Sequence, residues 1–258
     1  MTAMRLKRYP SPSGGLALGK MGVGATMLNG WKNPYVTDGL VAMWDGEWNA
    51  GPGKHDASAT TWVDLSENGN NATRVGSAAF GTNYATFDGA SYYVSSSGLD
   101  FTTALTWEVC GNQAASNYDR DYLAWNIGSS EKRGVDLYNA RSVSLLRLKY
   151  GKDTAGVAFI GWQYPPISLD DPCTIAFTLG SAIGLHYNGE QKTTSSLLTL
   201  YPPEYKRMVI GANLTNTNGR ASSQMYGQIH SVRLYNRALT ASEIAANYAI
   251  DKERFNLP

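Results

Sequence analysis

The sequence is poor in cysteine, histidine and charge, and each scarcity removes a class of protein. Of 258 residues only 2 are cysteine, Cys110 and Cys173. That is too few for a disulfide scaffold, and no Cys-x-x-Cys spacing suggests a zinc or redox site. Both lie in strand-like runs, which predicts two buried free thiols rather than a bridge. Charged residues reach only 17% against 43% hydrophobic, so the chain is not of the disordered class. No run of 18 apolar residues is present, which leaves no transmembrane helix to predict. A secretory leader is not predicted either. Arg5, Lys7 and Arg8 are followed by Pro10-Ser11-Pro12-Ser13-Gly14-Gly15, and the stretch 16–28 is broken by Gly19, Lys20, Gly22 and Gly24. The 3 histidines, His55, His186 and His230, are scattered; His186 and His230 fall in strand-like runs, His55 in a loop. Neither a Gly-x-Ser-x-Gly elbow nor a His-Glu-x-x-His pair occurs, and no glycine-rich turn leads from a strand into a helix to cradle phosphate.

Charge is unevenly placed. Residues 1–33 hold Arg5, Lys7, Arg8, Lys20 and Lys32 and no acid, whereas the rest of the chain has 17 bases and 21 acids. The near-neutral total therefore averages a basic arm and a mildly acidic body, and the body offers no basic footprint for nucleic acid. Composition shifts near residue 37. Gly, Ser, Pro and Met dominate before it, so 1–37 reads as an arm that anchors or links, and 38–258 as the folded domain.

From Asp38 the chain reads as short strands separated by turns. Leu40-Val41-Ala42-Met43-Trp44, Tyr92-Tyr93-Val94, Leu105-Thr106-Trp107-Glu108-Val109 and Cys173-Thr174-Ile175-Ala176-Phe177 are rich in β-branched and aromatic residues. Asn68-Gly69, Asp88-Gly89, Asn188-Gly189 and Asn218-Gly219 supply turn pairs, and Tyr187-Asn188-Gly189-Glu190 predicts a hairpin tip. A dozen such strands indicate an all-β sandwich or barrel. One helix is predicted near the end, opened by the capping box Thr240-Ala241-Ser242-Glu243 and docking Ile244, Tyr248 and Phe255 on the strands.

Two stretches carry more than periodicity. One runs Asp38-Gly39-Leu40-Val41-Ala42-Met43-Trp44-Asp45-Gly46, then Thr61-Trp62-Val63-Asp64-Leu65-Ser66-Glu67-Asn68-Gly69, then Phe87-Asp88-Gly89. The other is Gly227-Gln228-Ile229-His230-Ser231-Val232-Arg233-Leu234-Tyr235-Asn236-Arg237-Ala238-Leu239-Thr240 with the helix after it. Together they resemble the concanavalin A-like lectin/glucanase superfamily, in particular the laminin G-like jelly rolls of bacterial surface and phage structural proteins, over about residues 38–255. Glu67 stands where such sequences usually have glycine. The resemblance implies a jelly-roll β-sandwich of two antiparallel sheets, one concave, with loops gathered at an edge. It also implies carbohydrate binding, often with calcium at the rim, or protein contacts alone.

The residues argue against catalysis. Retaining glycosidases need two carboxyls about 5–5.5 Å apart, and the enzymatic branch of the superfamily alternates acids along one strand. Here Asp119-Arg120-Asp121 is predicted to be a solvated polar loop, and Asp45 and Glu47 flank Gly46 in another. Calcium ligands could come from Asp64, Asp88, Asp170-Asp171 and residues 68–71, but no spacing is diagnostic and no cofactor is predicted. Glycan recognition leans on exposed aromatics with polar neighbours. The candidates are Trp48, Tyr118, Trp162 and Tyr164, with Asp45, Glu47, His55 and Asn70 as polar partners, while Trp44, Trp62, Trp107 and Trp125 are assigned to the core. The expected function is a non-catalytic, lectin-like carbohydrate-binding or adhesion module on a virion or cell surface. The alternative is a structural phage capsid or tail decoration protein held through Arg5, Lys7, Arg8 and Lys20 of the arm. A glycoside hydrolase ranks third. The partner is thus a surface glycan or a structural protein, with homo-oligomers compatible, and neither membrane nor nucleic acid is expected.

Overall fold

The computed structural model describes residues 32–96, 98–99, 104–113, 120–125, 135–140, 145–153, 156–163, 171–196, 207–214 and 221–258. In chain order these hold β1 (Leu40–Asp45), β2 (Thr61–Trp62), β3 (Ala72–Val75), β4 (Ala79–Phe80), β5 (Ala85–Asp88), β6 (Tyr92–Ser95) and β7 (Leu105–Gln113). There follow β8 (Arg120–Trp125), β9 (Val135–Ala140), β10 (Leu145–Asp153), β11 (Gly156–Gln163), β12 (Cys173–Leu179), β13 (Ala182–Tyr187) and β14 (Glu190–Ser196). The last elements are β15 (Met208–Ile210), β16 (Asn213–Leu214), β17 (Ala221–Ser222), β18 (Tyr226–Tyr235) and the helix α1 (Ala241–Phe255).

Two antiparallel sheets form the jelly-roll sandwich. The first runs β14-β13-β12-β7-β18-β5-β4, with β1 also on β18, and the second runs β11-β10-β9-β8-β15-β6-β3-β2. The strand β18 organises the first sheet. Its N-terminal half pairs with β5, its C-terminal half with β1, and almost its whole length with β7. A bulge at His230 lets Ile229, Val232 and Leu234 all enter the core while Ser231, Arg233 and Tyr235 face the other side. Alternation does the same in β7, where Leu105, Trp107 and Val109 are inward and Glu108 and Cys110 outward.

The core between the sheets is aromatic. Trp44, Trp62, Trp107 and Trp125 are fully buried, as their strand positions predicted. Trp62 meets Phe80 and Tyr93 edge-on at 5.4 and 5.2 Å, and Trp107 meets Phe177 at 5.1 Å. Two of the indoles also find backbone acceptors, Trp44 on Asn70 O at 3.1 Å and Trp62 on Asp45 O at 2.9 Å. Both cysteines are free and buried, on opposite sides of the first sheet. Burial pushes the Cys173 thiol up to about 12 and Cys110 well above its ordinary value.

Turn chemistry agrees with the sequence where it is described. Asn188 and Gly189 both have positive φ, 48° and 78°, and join β13 to β14. Glu67 holds φ 69°, a left-handed conformation that a side chain adopts only at a cost. Asp88 closes β5 by accepting from the Ser77 and Ser91 hydroxyls and from Ala90 N–H, which lowers its carboxyl to about 2. With a folded value below the unfolded 3.8, its contribution to stability is complete above 3.8 and lost as pH falls through 2. Asp88→Asn is therefore expected to flatten part of the acid limb of a stability-versus-pH profile, read by urea midpoints. Glu243, also lowered to about 2, supplies another part of that limb.

The helix is capped as its sequence predicts, with the Thr240 hydroxyl accepting from Glu243 N–H and the Glu243 carboxylate accepting from Thr240 N–H. Arg237 clamps the same carboxylate with both terminal nitrogens, at 2.9 and 2.6 Å, and donates through Nε to Asp38 O. The buried stripe differs from the predicted one. It is Ile244, Asn247, Asp251 and Phe255, with Tyr248 only half-buried and its hydroxyl donating to Pro258 O. Hydropathy did not reveal this face because half of it is polar. The arm boundary drawn at residue 37 also moves. Tyr35 is buried, its hydroxyl donates to Asp251 at 2.8 Å, and Val36 N–H donates to Asn247 at 3.0 Å, so these residues belong with the folded body.

Candidate ligand-binding site

The outer face of the first sheet is occupied by a buried charge network under α1. Arg233 donates through Nε to Glu108 at 2.8 Å, through Nη1 to Asp251 and Ser231 at 2.8 and 3.0 Å, and through Nη2 to Asp251 at 2.6 Å. The Tyr35 ring lies 4.1 Å from the guanidinium carbon. Asn247 donates to Glu108 at 2.7 Å and Thr174 donates to Asp251 at 3.0 Å. Burial pushes the Glu108 carboxyl up, with Arg233 opposing. This network fastens helix to sheet.

Of the sequence candidates, Asp45, Glu47 and Trp48 come together beside it, but they close on Arg254. That guanidinium donates to both oxygens of Asp45, at 2.7 and 3.1 Å, to Glu47 at 2.8 Å and to Tyr35 Oη at 2.8 Å. It also covers the Trp48 ring at 3.9 Å. Asp45 is completely buried and accepts from Glu47 and Trp48 N–H as well, so it is a turn anchor and not a sugar partner. Asn70 is likewise corrected. It is buried, donates to Val41 O at 2.8 Å, and receives the Trp44 indole on its carbonyl. His55 is exposed and hydrogen-bonds Gly46 O through Nδ1 at 3.1 Å. The sequence missed Arg254 because only the fold carries it 209 residues back to Asp45.

Trp162 is not presented on a loop. It lies in β11, packs half-buried against the core, and contacts Tyr187 at 5.4 Å with the Lys192 ammonium 5.6 Å from its ring. It thereby seals the edge where β11 meets the β13–β14 hairpin of the other sheet. Trp162→Ala is expected to lower stability by about 2–3 kcal/mol, measured by urea unfolding, as for removal of a large partly buried side chain. Tyr118 and Tyr164, together with Arg5, Lys7, Arg8 and Lys20 of the arm, lie outside the described residues. Asp121 belongs to β8 and is buried, which corrects its placement in a solvated loop.

An open surface does exist on the second sheet. Alternation turns Tyr93 into the core, so Tyr92 and Val94 lie on the other side of the sheet, where they pack in a second, buried cluster with Ala124, Val209 and Ala212 beside the open groove. The register sets Thr73 opposite Val94 and Val75 opposite Tyr92. There Thr73, Val75, Tyr92, Val94, Ser95, Ser96 and Arg207 line a groove of about 360 Å³. Its polar groups are hydroxyls and one guanidinium, and its apolar floor is two valines and a tyrosine. Val75 is 41% exposed, unusual for a large apolar side chain here. The size falls within the range of small-ligand sites. No sequence signal marked these residues beyond the strand pattern of Tyr92-Tyr93-Val94.

Of the acids weighed for calcium, Asp170 lies outside the described residues. The Asp64 oxygens take Met43, Ser66 and Asn70 N–H and the Ser66 hydroxyl, Asp88 is engaged as above, and no cluster of three His, Cys, Asp or Glu among the described residues could hold a metal ion.

Comparison with known proteins agrees with the jelly-roll geometry. A laminin G-type family model, described as concanavalin A-like lectin/glucanases superfamily, matches residues 88–245, more than half of the chain. The chain belongs to the concanavalin A-like lectin/glucanase superfamily. Among solved structures it resembles domain 4 of an extracellular GH43 arabinanase from Geobacillus stearothermophilus, in complex with arabinotriose, at TM-score 0.62 and 16% identity, covering 81% of this chain and 98% of that one. It also resembles the receptor-binding domain of botulinum neurotoxin mosaic serotype C/D, at TM-score 0.63 and 13% identity over 84% of this chain, and the botulinum neurotoxin DC binding domain in complex with rat synaptotagmin II, at 0.64 and 10% over 83%. The chain spans about half the length of those toxin domains. No curated protein sequence matches it. At these identities the likeness shows fold, and the superfamily fold is one that binding domains for sugars and for protein receptors share. Among the described residues no helix is long and apolar enough to cross a membrane.

Proposed function

We propose that this superfamily member is a non-catalytic carbohydrate-binding module and that the groove on the second sheet is its site. The carrying observation is the groove itself: about 360 Å³, open, lined by Val75, Val94 and Tyr92 and by the exposed Thr73 and Ser96. Sugars offer apolar C–H faces and hydroxyls that both donate and accept, and this lining matches both. The arabinotriose complex of the arabinanase domain supports the reading by fold. Against hydrolysis, two carboxylate pairs are held on arginine, Asp45 and Glu47 by Arg254 and Glu108 and Asp251 by Arg233.

The module is carried to a virion or cell surface by its basic arm. A deletion ending at residue 31 tests attachment while retaining the contacts of Tyr35 and Val36. The site is tested by a glycan array on the full chain, with and without calcium, in parallel with Thr73→Trp. Thr73 is exposed on β3, so the indole fills the groove at little cost to folding. Binding by the wild-type chain that falls at least tenfold in Thr73→Trp is expected. Binding unchanged by the substitution removes this site.

A further inference from the structure

The charge of the groove is as informative as its shape. Arg207 is the one charged residue in its lining, and no carboxylate lines it. The side chain is exposed, and among the described residues it makes no ion pair, unlike Arg233, Arg237 and Arg254, which are each held by two carboxylates. It follows β6 and β3 across the sheet at the start of β15, where Met208 N–H donates to Ser95 Oγ at 3.0 Å and so ties the strand bearing the guanidinium to the groove wall. The exposed polar lining beside it, Thr73 and Ser96, is hydroxyl, which can satisfy sugar hydroxyls and carries no charge that would repel an anion.

Resting on the reading of this groove as a sugar site, we propose that it selects an acidic glycan, a uronic or sialic acid whose carboxylate is taken by Arg207 while the ring lies over Val75, Val94 and Tyr92. The guanidinium fork matches a carboxylate with two parallel N–H donations, a geometry that lysine does not reproduce. A single cation points to a singly charged sugar rather than to a polysulfated chain, which gathers affinity from several bases. The neutral hydroxyls then set the orientation of the ring, and the valines exclude water from one of its faces.

The test is titration calorimetry of the full chain with matched pairs: trigalacturonate and its methyl ester, and sialyllactose and lactose, with a heparin-derived tetrasaccharide as the sulfated arm. Wild type, Arg207→Gln, Arg207→Lys and Thr73→Trp are compared. The expected result is that at least one carboxylate sugar binds at least tenfold tighter than its neutral partner. Arg207→Gln then abolishes that preference, Arg207→Lys restores only part of it, and rising salt weakens binding of the acidic sugar alone. Neutral sugars that bind equally well, lose affinity in Thr73→Trp and ignore Arg207→Gln would overturn the acidic preference and leave the sugar groove standing. Preference for the sulfated tetrasaccharide overturns the carboxylate assignment. No binding in any pair, or binding indifferent to Thr73→Trp, overturns both the preference and the groove.

Discussion

Arg233→Met is expected to lower the stability of the chain by about 3–5 kcal/mol at neutral pH, the scale for removing one partner of a buried ion pair. The substitution keeps the aliphatic stem and loses the guanidinium that packs on Tyr35, so some packing is lost with the charge. The electrostatic loss is the larger. Arg233, Glu108 and Asp251 are all completely buried, and without the guanidinium two carboxylates face each other's field in a low-dielectric layer. Asp251 keeps the Tyr35 and Thr174 hydroxyls and Glu108 keeps Asn247, which moderates the penalty without cancelling the charge. The measurement is urea unfolding followed by tryptophan fluorescence. Two controls identify the cause. Adding Glu108→Gln and Asp251→Asn to Arg233→Met is expected to recover a large part of the loss. Acidification is expected to narrow the gap between Arg233→Met and wild type. The sign follows from linkage: burial raises the folded Glu108 carboxyl above its unfolded value, so the variant gains stability as pH falls through it. A loss unaffected by either control would mean that packing, not charge, holds the helix.

Arg254→Ala is the second large effect, about 3 kcal/mol by the same measurement. Its four contacts are unequal. The bidentate pair with Asp45 dominates, because Asp45 is fully buried and Arg254 nearly so. The Glu47 contact is half in water, its side chain 44% exposed, and Glu47→Ala is expected to change stability by under about 1 kcal/mol. The remaining loss comes from the stack on Trp48 and the bond to Tyr35. Adding Asp45→Asn to Arg254→Ala is expected to restore part of the stability, since the amide oxygen still accepts from Glu47 and Trp48 N–H without a buried charge. Trp48 emission should shift in Arg254→Ala, and the groove on the second sheet should keep its affinity.

These two networks explain why the site was hard to read from the chain. Asp45, Glu47 and Trp48 are neighbours in sequence, but their partner Arg254 comes from the far end of the helix. An acid beside a tryptophan in a loop has the same sequence signature whether it awaits a sugar or a guanidinium. Trp162 is similar: alternation places it on a strand face, and only the approach of Tyr187 from the opposite sheet makes that face interior. The groove left even less trace. Thr73, Val75, Tyr92 and Val94 are ordinary strand residues, and Arg207 lies over a hundred residues from them, brought in by the pairing of β15 with β6.

What the sequence determined by itself is local. Period-two alternation gave the strands and the buried tryptophans, Asn188-Gly189 the hairpin, Thr240 and Glu243 the start of the helix, and the motif from Gly227 to Thr240 the superfamily. Each is a property of a few consecutive residues, whose backbone preferences and side-chain directions are set before any long-range contact forms. Tertiary structure alone decided which polar residues became interior and which stayed exposed. That depends on which strand is carried alongside which, as β18 sets Arg233 against Glu108 and β15 sets Arg207 beside β6. Charge and hydropathy report what a side chain requires, and only sheet pairing determines whether the protein or a ligand meets the requirement.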